Sequence, residues 1–131
     1  GRSTFTNGPG EMEMGVGLHG ERGIWRKPLK TADAIAAEIV GALVADRPLS
    51  RGDRVSPLIN SLGATPHEEL CILFRCVAHR LRDMGVEIVM PLVGRYATSM
   101  ELAGASITFC KLDDELEEFL KAPADGPAWK R

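Results

Sequence analysis

The residues best suited to chemistry lie around His19, between an alternating segment and a glycine-rich turn. The segment has the period of a half-buried β-strand, with two faces formed by Met12, Met14, Val16 and Leu18 and by Glu11, Glu13, Gly15 and Gly17. The run Gly20-Glu21-Arg22-Gly23 then favours a turn. Because the adjoining glycines have no side chain, a ligand has room to reach the imidazole. Such a histidine can serve as a nucleophile, a base or a metal ligand, or it can simply be a polar turn residue.

A second candidate is the loop Asn60-Ser61-Leu62-Gly63-Ala64, between a predicted strand and a predicted helix. Free backbone N–H groups at such a junction could bind a phosphate or another anion. The loop lacks the spacing and the lysine of a nucleotide-binding P-loop, and a plain strand-to-helix connection accounts for it equally well. Thr98 and Ser99 offer hydroxyl groups, but the sequence places no base for them.

Three segments have the period of a helix. The first follows Thr31, a predicted N-cap, and ends before Arg47-Pro48. The second is expected to use Thr65 as its N-cap, with Pro66 at the first helical position, and to end at Gly85. The third covers residues 113–120 and has acidic residues in its first turn.

Further strands are predicted over residues 54–60, 86–93 and 105–111. Pro57 lies inside the predicted strand 54–60, where it has no N–H to donate to a neighbouring strand. It therefore indicates a sheet edge, a bulge or a strand that begins at Leu58. Trp25 either shields the histidine loop or packs against the domain edge, and Trp129 is expected to hold down the tail. The order of elements predicts an α/β layered sandwich with a mixed β-sheet of about four strands and about three helices. Ligand-binding loops are expected to follow the strand ends.

Composition narrows the class of protein. A chain of 131 residues with 44% hydrophobic and 26% charged residues predicts one globular domain. The net charge of -2, with both signs interspersed, gives no sign of a nucleic-acid or anionic-membrane surface. No apolar run is long enough for a membrane span, and no metal-ligand spacing is recognisable. Cys71, Cys76 and Cys110 are predicted to be reduced core residues of a cytoplasmic protein.

The chain resembles a known family over nearly its whole length. Met14-Gly15-Val16-Gly17-Leu18-His19-Gly20-Glu21-Arg22-Gly23 is similar to the signature of the dihydroxyacetone (glycerone) kinase family, in its substrate-binding K domain (DhaK-like). Residues 58–65, 96–100 and 104–108 resemble later parts of the same domain in the same order. One departure is Arg22, where the family usually has proline.

The resemblance implies a role for His19 and a place for the chain. In the family, the matching histidine forms a covalent hemiaminal with the ketone substrate, so His19 is expected to be the catalytic and substrate-binding residue. Glu11, Glu13 or Glu21, if close, would raise the pKa of His19 and could orient its ring. Residues 1–131 would be the C-terminal subdomain of a K domain. Because no initiator Met precedes Gly1, we expect a piece of a longer protein, without the first subdomain and the nucleotide-binding L domain.

The resemblance also implies partners and cofactors. The substrate would be dihydroxyacetone or a related small ketose, and the full protein would be a homodimer in the cytoplasm. ATP and Mg, or a tightly held ADP that a phosphotransferase system rephosphorylates, would belong to a separate L domain or subunit. Three alternatives stay open: a kinase for a four-carbon ketose such as erythrulose, a non-catalytic ketose-binding or regulatory paralogue, and an unrelated α/β interaction domain.

Overall fold

A computed structural model describes residues 7–17, 21–99, 101–127 and 129–130. The elements in chain order are β1 (Glu11–Met14), β2 (Trp25–Pro28), α1 (Ala32–Asp46), β3 (Arg54–Ser61), α2 (His67–Asp83), β4 (Glu87–Ile88), β5 (Leu92–Gly94), β6 (Ala105–Leu112) and α3 (Asp114–Lys121). Strands β1 and β2 form a separate antiparallel hairpin, and the other strands form a mixed four-stranded sheet. The predicted α/β layered fold is confirmed.

Strand β3 is the centre of the larger sheet. Strand β6 runs antiparallel to β3 along its whole length, from the pair Arg54↔Leu112 to the pair Ser61↔Ala105. Strands β4 and β5 both run parallel to β3. They lie on the side of β3 that is not paired with β6, with β4 beside the start of β3 and β5 beside its end. The prediction of a single strand over residues 86–93 is therefore wrong. This segment consists of two short strands, and residues 89–91 between them lie opposite only two residues of β3.

That interruption explains how Pro57 fits in a central strand. The Val89 N–H donates to the carbonyl oxygen of Val55 (2.9 Å), so the backbone groups of Val55 face β4. Residues two apart in a strand direct their backbone groups to the same side, so the Pro57 nitrogen also faces the neighbour. Pairing is interrupted there, and the missing N–H removes no ladder bond. Pro57 therefore lies opposite a bulge rather than at a sheet edge.

The hydrophobic core lies on one face of this sheet, between β3, β6 and the two longer helices. Helix α2 packs on β3, and α1 packs on α2. The residues that are least exposed in the core are Ala36, Val55, Ile59, Leu70, Val77 and Leu81. The predicted boundaries of both helices are largely confirmed: Thr31 Oγ1 accepts from Ala34 N (3.3 Å) as an N-cap, and Gly85, with a φ of +73°, follows the end of α2.

Helix α3 lies on the opposite face of the sheet. Arg54 follows the alternation of β3 and points away from the Val55 side. Its guanidinium group contacts Asp114 (2.5 Å) and Glu117 (2.6 Å), both on α3. Asp113 is the N-cap, because its side chain accepts from Leu116 N (2.8 Å). Helix α3 thus contacts the sheet through Arg54 on the face opposite the core, and none of its residues is buried.

Two side-chain predictions are wrong. Thr65 does not cap α2, because its Oγ1 donates to the carbonyl oxygen of Gly104 (2.8 Å) and Pro66 takes the N-cap position. The three cysteines are free, but only Cys76 is buried, while Cys71 and Cys110 are exposed. Cys71 lies on the outer side of α2, and Cys110 lies on the β6 face opposite the core. An apolar neighbourhood in the sequence therefore did not indicate burial of the individual side chain.

Candidate functional site

The hairpin β1–β2 carries the segment in which the sequence places its candidate histidine. Strand β1 ends at Met14, four residues earlier than the alternation predicts, because Gly15 turns the chain with a φ of +76°. Two backbone bonds close the segment that follows. Ile24 N donates to the Met14 carbonyl oxygen (2.7 Å), and Gly17 N donates to the Glu21 carbonyl oxygen (3.1 Å).

The predicted residue His19 lies outside the described residues, together with Leu18 and Gly20. Its assignment as the catalytic and substrate-binding residue therefore stays a prediction. The described residues on either side are Gly17 and Glu21, whose backbones are joined by the bond given above. The structure thus describes the base of this loop.

Glu13 joins the two limbs of the hairpin. Its Oε1 accepts from Gly23 N (2.8 Å), and its Oε2 accepts from Arg26 Nη2 (2.8 Å). The Glu13 side chain is only 7% exposed, although it belongs to a two-stranded sheet. The bond from Arg26, and secondly the bond from Gly23, holds the pKa of Glu13 below its usual value. The positive charge of Arg22 lowers the pKa of Glu13 further.

Gly23 lies close to β1. A Cβ atom at this position would be 2.5 Å from the Met14 carbonyl oxygen and 2.7 Å from Glu13 Cγ, and both distances are shorter than real contacts allow. The missing side chain at Gly23 lets the returning limb pack against the strand.

The hairpin is attached to α1 through Trp25. The indole Nε1 donates to Glu38 Oε1 (2.6 Å), and Lys30 Nζ lies 2.5 Å from Glu38 Oε2. The ammonium groups of Lys27 and Lys30 lie 4.7 Å and 4.5 Å from the centre of the indole ring. Of the two predicted roles for Trp25, the described contacts support packing against the domain.

A second polar cluster lies where β3 and β5 end. Asn60 is 1% exposed and its amide is fully bonded, with Nδ2 donating to the Ala97 carbonyl oxygen (2.6 Å) and Ser106 Oγ (3.1 Å). Its Oδ1 accepts from Tyr96 N (2.8 Å) and Ala97 N (3.0 Å). Asn60 therefore holds the loop after β5 against the end of β3.

The loop that the sequence offered as an anion site has its backbone N–H groups engaged, since Leu62 N donates to the Gly104 carbonyl oxygen (2.9 Å) and Ala64 N to the Leu102 carbonyl oxygen (3.0 Å). The hydroxyl groups nearby are bonded as well. Ser61 Oγ donates to the Thr65 carbonyl oxygen (2.8 Å) and accepts from Gly63 N (3.2 Å). Ser99 Oγ donates to the Leu62 carbonyl oxygen (3.0 Å), and Thr98 Oγ1 donates to the Ser99 carbonyl oxygen (2.8 Å). These contacts favour a structural connection over a phosphate site.

The sequence did not indicate the contacts of Glu13, Glu38 and Asn60. For Asn60, the sequence indicated that some partner was needed, because a polar residue in an otherwise apolar strand requires a buried hydrogen-bond partner. It did not show which residue that partner is.

Within the described ranges, no three histidine, cysteine or acidic side chains are grouped to hold a metal ion. No helix in the part of the chain that the structure describes is long and apolar enough to cross a membrane.

Comparison with known proteins shows the family of the chain. The model of the Dak1 domain family matches residues 1–128. The chain therefore belongs to the Dak1 domain family, as the resemblance of its signature segment predicted. The alternative of an unrelated α/β interaction domain is wrong.

Three similar proteins illustrate the range of the family. A dihydroxyacetone-binding subunit DhaK of a PTS-dependent dihydroxyacetone kinase from Listeria innocua is 45% identical over 130 residues, covering 99% of this chain and 39% of that protein. A D-erythrulose kinase from Mycolicibacterium smegmatis is 42% identical, covering 97% of this chain and 22% of that protein. The solved structure of the dihydroxyacetone kinase operon co-activator Dha-DhaQ superposes with a TM-score of 0.83 at 27% identity, covering 93% of this chain and 38% of that one. This chain thus spans less than half the length of each.

Proposed function

We propose that this chain is the ketose-binding part of a dihydroxyacetone-type kinase and corresponds to the C-terminal subdomain of its K domain. The observation that carries the proposal is the match of the Dak1 domain family over residues 1–128, which include the signature segment with His19. The similarity to a dihydroxyacetone-binding subunit and to an erythrulose kinase supports a small ketose as the ligand.

The proposed chemistry is a reversible addition to the ketone. A neutral imidazole nitrogen of His19 attacks the carbonyl carbon and forms a carbon–nitrogen bond, while the π electrons of the carbonyl move to its oxygen. That oxygen takes up a proton, and the other ring nitrogen releases its proton. The product is a tetrahedral hemiaminal, which holds the substrate in one orientation.

The covalent bond would also select the substrate. A polyol such as glycerol has no carbonyl carbon and cannot form the adduct, whereas dihydroxyacetone and erythrulose both can. The terminal hydroxyl group of the bound ketose would then accept a phosphoryl group, in a reaction that depends mainly on positioning and electrostatics. We propose that ATP with Mg, or an ADP that a phosphotransferase system rephosphorylates, is held by a separate L domain or subunit.

The charge of Glu13 bears on this chemistry. His19 must be unprotonated to attack, and an unpaired carboxylate nearby would raise its pKa. Because Glu13 is paired with Arg26, its negative charge is largely compensated within the hairpin. Glu13 therefore brings no unpaired carboxylate to the hairpin.

Carbon NMR of the native protein with dihydroxyacetone labelled at its carbonyl carbon tests the proposal. We expect the labelled signal to move from the ketone region to the tetrahedral region with the parent protein. The His19→Ala variant should leave the signal at the free-ketone position. If the ketone signal is unchanged with the parent for dihydroxyacetone and for erythrulose, the proposed role of His19 is wrong.

A regulatory ketose-binding protein is the second candidate function. The similarity to a dihydroxyacetone kinase operon co-activator favours it, since that structure shares this fold over nearly the whole chain. Both candidates allow an adduct, so phosphoryl transfer must separate them. A kinase should form phosphorylated ketose when its nucleotide-binding partner and phosphoryl donor are added, whereas a sensor should form the adduct and no phosphorylated product.

A further inference from the structure

The carboxylate of Glu13 connects three parts of the hairpin. Glu13 lies on β1 and is paired in register with Arg26 on β2, so their side chains share one face of the ladder. One carboxylate oxygen binds the Arg26 guanidinium group, and the other accepts from the backbone N–H of Gly23. Gly23 belongs to neither strand, because it lies on the limb that returns from the predicted histidine position to β2.

Two backbone hydrogen bonds also hold this limb. The Ile24 N–H bonds to Met14 at its lower end, and the Gly17–Glu21 bond closes the opposite end. Ile24 itself is 81% exposed, so its side chain contributes little packing. The Gly23 bond to Glu13 lies between these two backbone bonds. It is a charge-assisted hydrogen bond, and such bonds are shorter and stronger than those between neutral groups.

We propose that Glu13 is a positioning residue, which fixes the limb at residues 21–24 against β1 and thereby orients His19 for attack on the ketone. The inference rests on the proposed function of His19 and adds a residue that does not itself touch the substrate. This arrangement also requires the glycine at position 23, because any side chain there would push the limb away from Met14 and Glu13.

The effect should appear in adduct formation more strongly than in folding. The larger sheet and the core involve none of these three residues, so a change at Glu13 leaves them intact. Misplacement of a reacting group by about 1 Å costs up to about 100-fold in a reaction that depends on orientation. We therefore expect Glu13→Ala to weaken adduct formation by about 10- to 100-fold.

The test measures the fraction of carbonyl-labelled dihydroxyacetone in the tetrahedral form as its concentration rises, in the native protein and in three variants. Glu13→Ala removes both bonds and should show the full loss. Glu13→Gln keeps an oxygen that can accept from Gly23, so it should recover a large part of the adduct. Glu117→Ala is the matched control, because Glu117 is also a shielded carboxylate that pairs with an arginine, but it lies on α3. It should form the adduct like the parent.

The exchange rate of the Gly23 amide hydrogen gives an independent measurement. It should rise in Glu13→Ala and stay unchanged in Glu117→Ala, while the circular dichroism of all variants stays that of the parent. Should Glu13→Ala fail to fold, Gly23→Ala takes its place, since it displaces the same limb and leaves the carboxylate present. It should show a comparable loss of adduct.

Each outcome decides a different question. If the parent forms the adduct and Glu13→Ala or Gly23→Ala forms it equally well, Glu13 has no positioning role, and the proposed function stands. If Glu117→Ala loses the adduct as much as Glu13→Ala does, the effect is one of general stability and the inference is overturned. If the parent forms no adduct, the proposed function fails, and this inference fails with it.

Discussion

Ser56 donates its side-chain hydroxyl to the backbone carbonyl oxygen of Met90, 2.9 Å away, across the interruption between β4 and β5. Met90 has a φ of +45°, in the left-handed region that residues with side chains rarely adopt. The hydroxyl therefore binds a carbonyl group where the regular ladder does not continue. Ser56 stabilises the break that also accommodates Pro57.

The first prediction concerns this bond. Ser56 is 5% exposed, so Ser56→Ala removes a largely shielded hydrogen bond to the Met90 carbonyl oxygen. We expect the free energy of unfolding to fall by about 1 kcal/mol, as measured by urea denaturation. Thr98→Ala is the control, because it removes an exposed hydroxyl that also donates to a carbonyl, and it should change stability by less than about 0.5 kcal/mol. Equal effects of the two substitutions would contradict the assignment.

The second prediction concerns Asn60. Replacement by leucine keeps a similar volume but leaves the N–H groups of Tyr96 and Ala97 without their acceptor. We expect a loss of about 2–4 kcal/mol in the free energy of unfolding, since each unsatisfied buried group costs about 1–3 kcal/mol. Ser106→Ala removes only one contact of the same amide and should cost less.

Hydrogen exchange locates the effect of the Asn60 substitution. The amides of Tyr96 and Ala97 should exchange faster in Asn60→Leu, under conditions in which the amides of α2 are still protected. Uniform acceleration over the whole chain would indicate global destabilisation instead of release of the loop after β5.

The third prediction concerns the attachment of the hairpin to α1. Glu38→Ala removes the acceptor of the Trp25 indole and the partner of Lys30. Trp25 should become more accessible, so acrylamide should quench its fluorescence more strongly than in the parent. The measurement requires a Trp129→Phe background, because Trp129 is the only other tryptophan in the chain. Glu117→Ala in that background should leave the quenching unchanged.

The fourth prediction is a loss of stability in acid. Bonds to basic side chains lower the pKa values of Glu13, Glu38, Asp53 and Glu117. A carboxylate whose pKa is lower in the folded state stabilises the fold above its unfolded pKa, and this contribution disappears as the pH falls through the folded value. The urea midpoint should therefore be constant above the unfolded pKa values of about 3.9–4.3 and should fall below them.

A variant that removes one of these carboxylates tests the origin of the acid effect. Glu38→Gln should lower the urea midpoint at neutral pH and reduce its decline in acid, because the variant has one titrating group fewer. An identical acid decline in Glu38→Gln and in the parent would show that this carboxylate contributes nothing to it.

Local chemistry allowed much of the fold to be predicted. The N-cap at Thr31, the glycine after α2 and the alternation of β6 depend on residues that are close in sequence, and the structure contains each of them. The signature around His19 likewise predicted the family, which the Dak1 domain match confirms. The catalytic role of His19 stays a prediction, since that residue lies outside the described part of the chain.

What sequence alone determined about this protein was its periodicity, its capping residues and its family, because these depend on residue types at short spacing. Tertiary structure decided which polar side chains meet. Asn60 reaches Ala97, 37 positions along the chain, and Trp25 reaches Glu38, 13 positions along. It also placed Pro57 opposite a bulge, moved the Thr65 hydroxyl from its expected cap to Gly104 and left Cys71 and Cys110 exposed. Each of these outcomes depends on how distant segments pack together, and no local pattern records that arrangement.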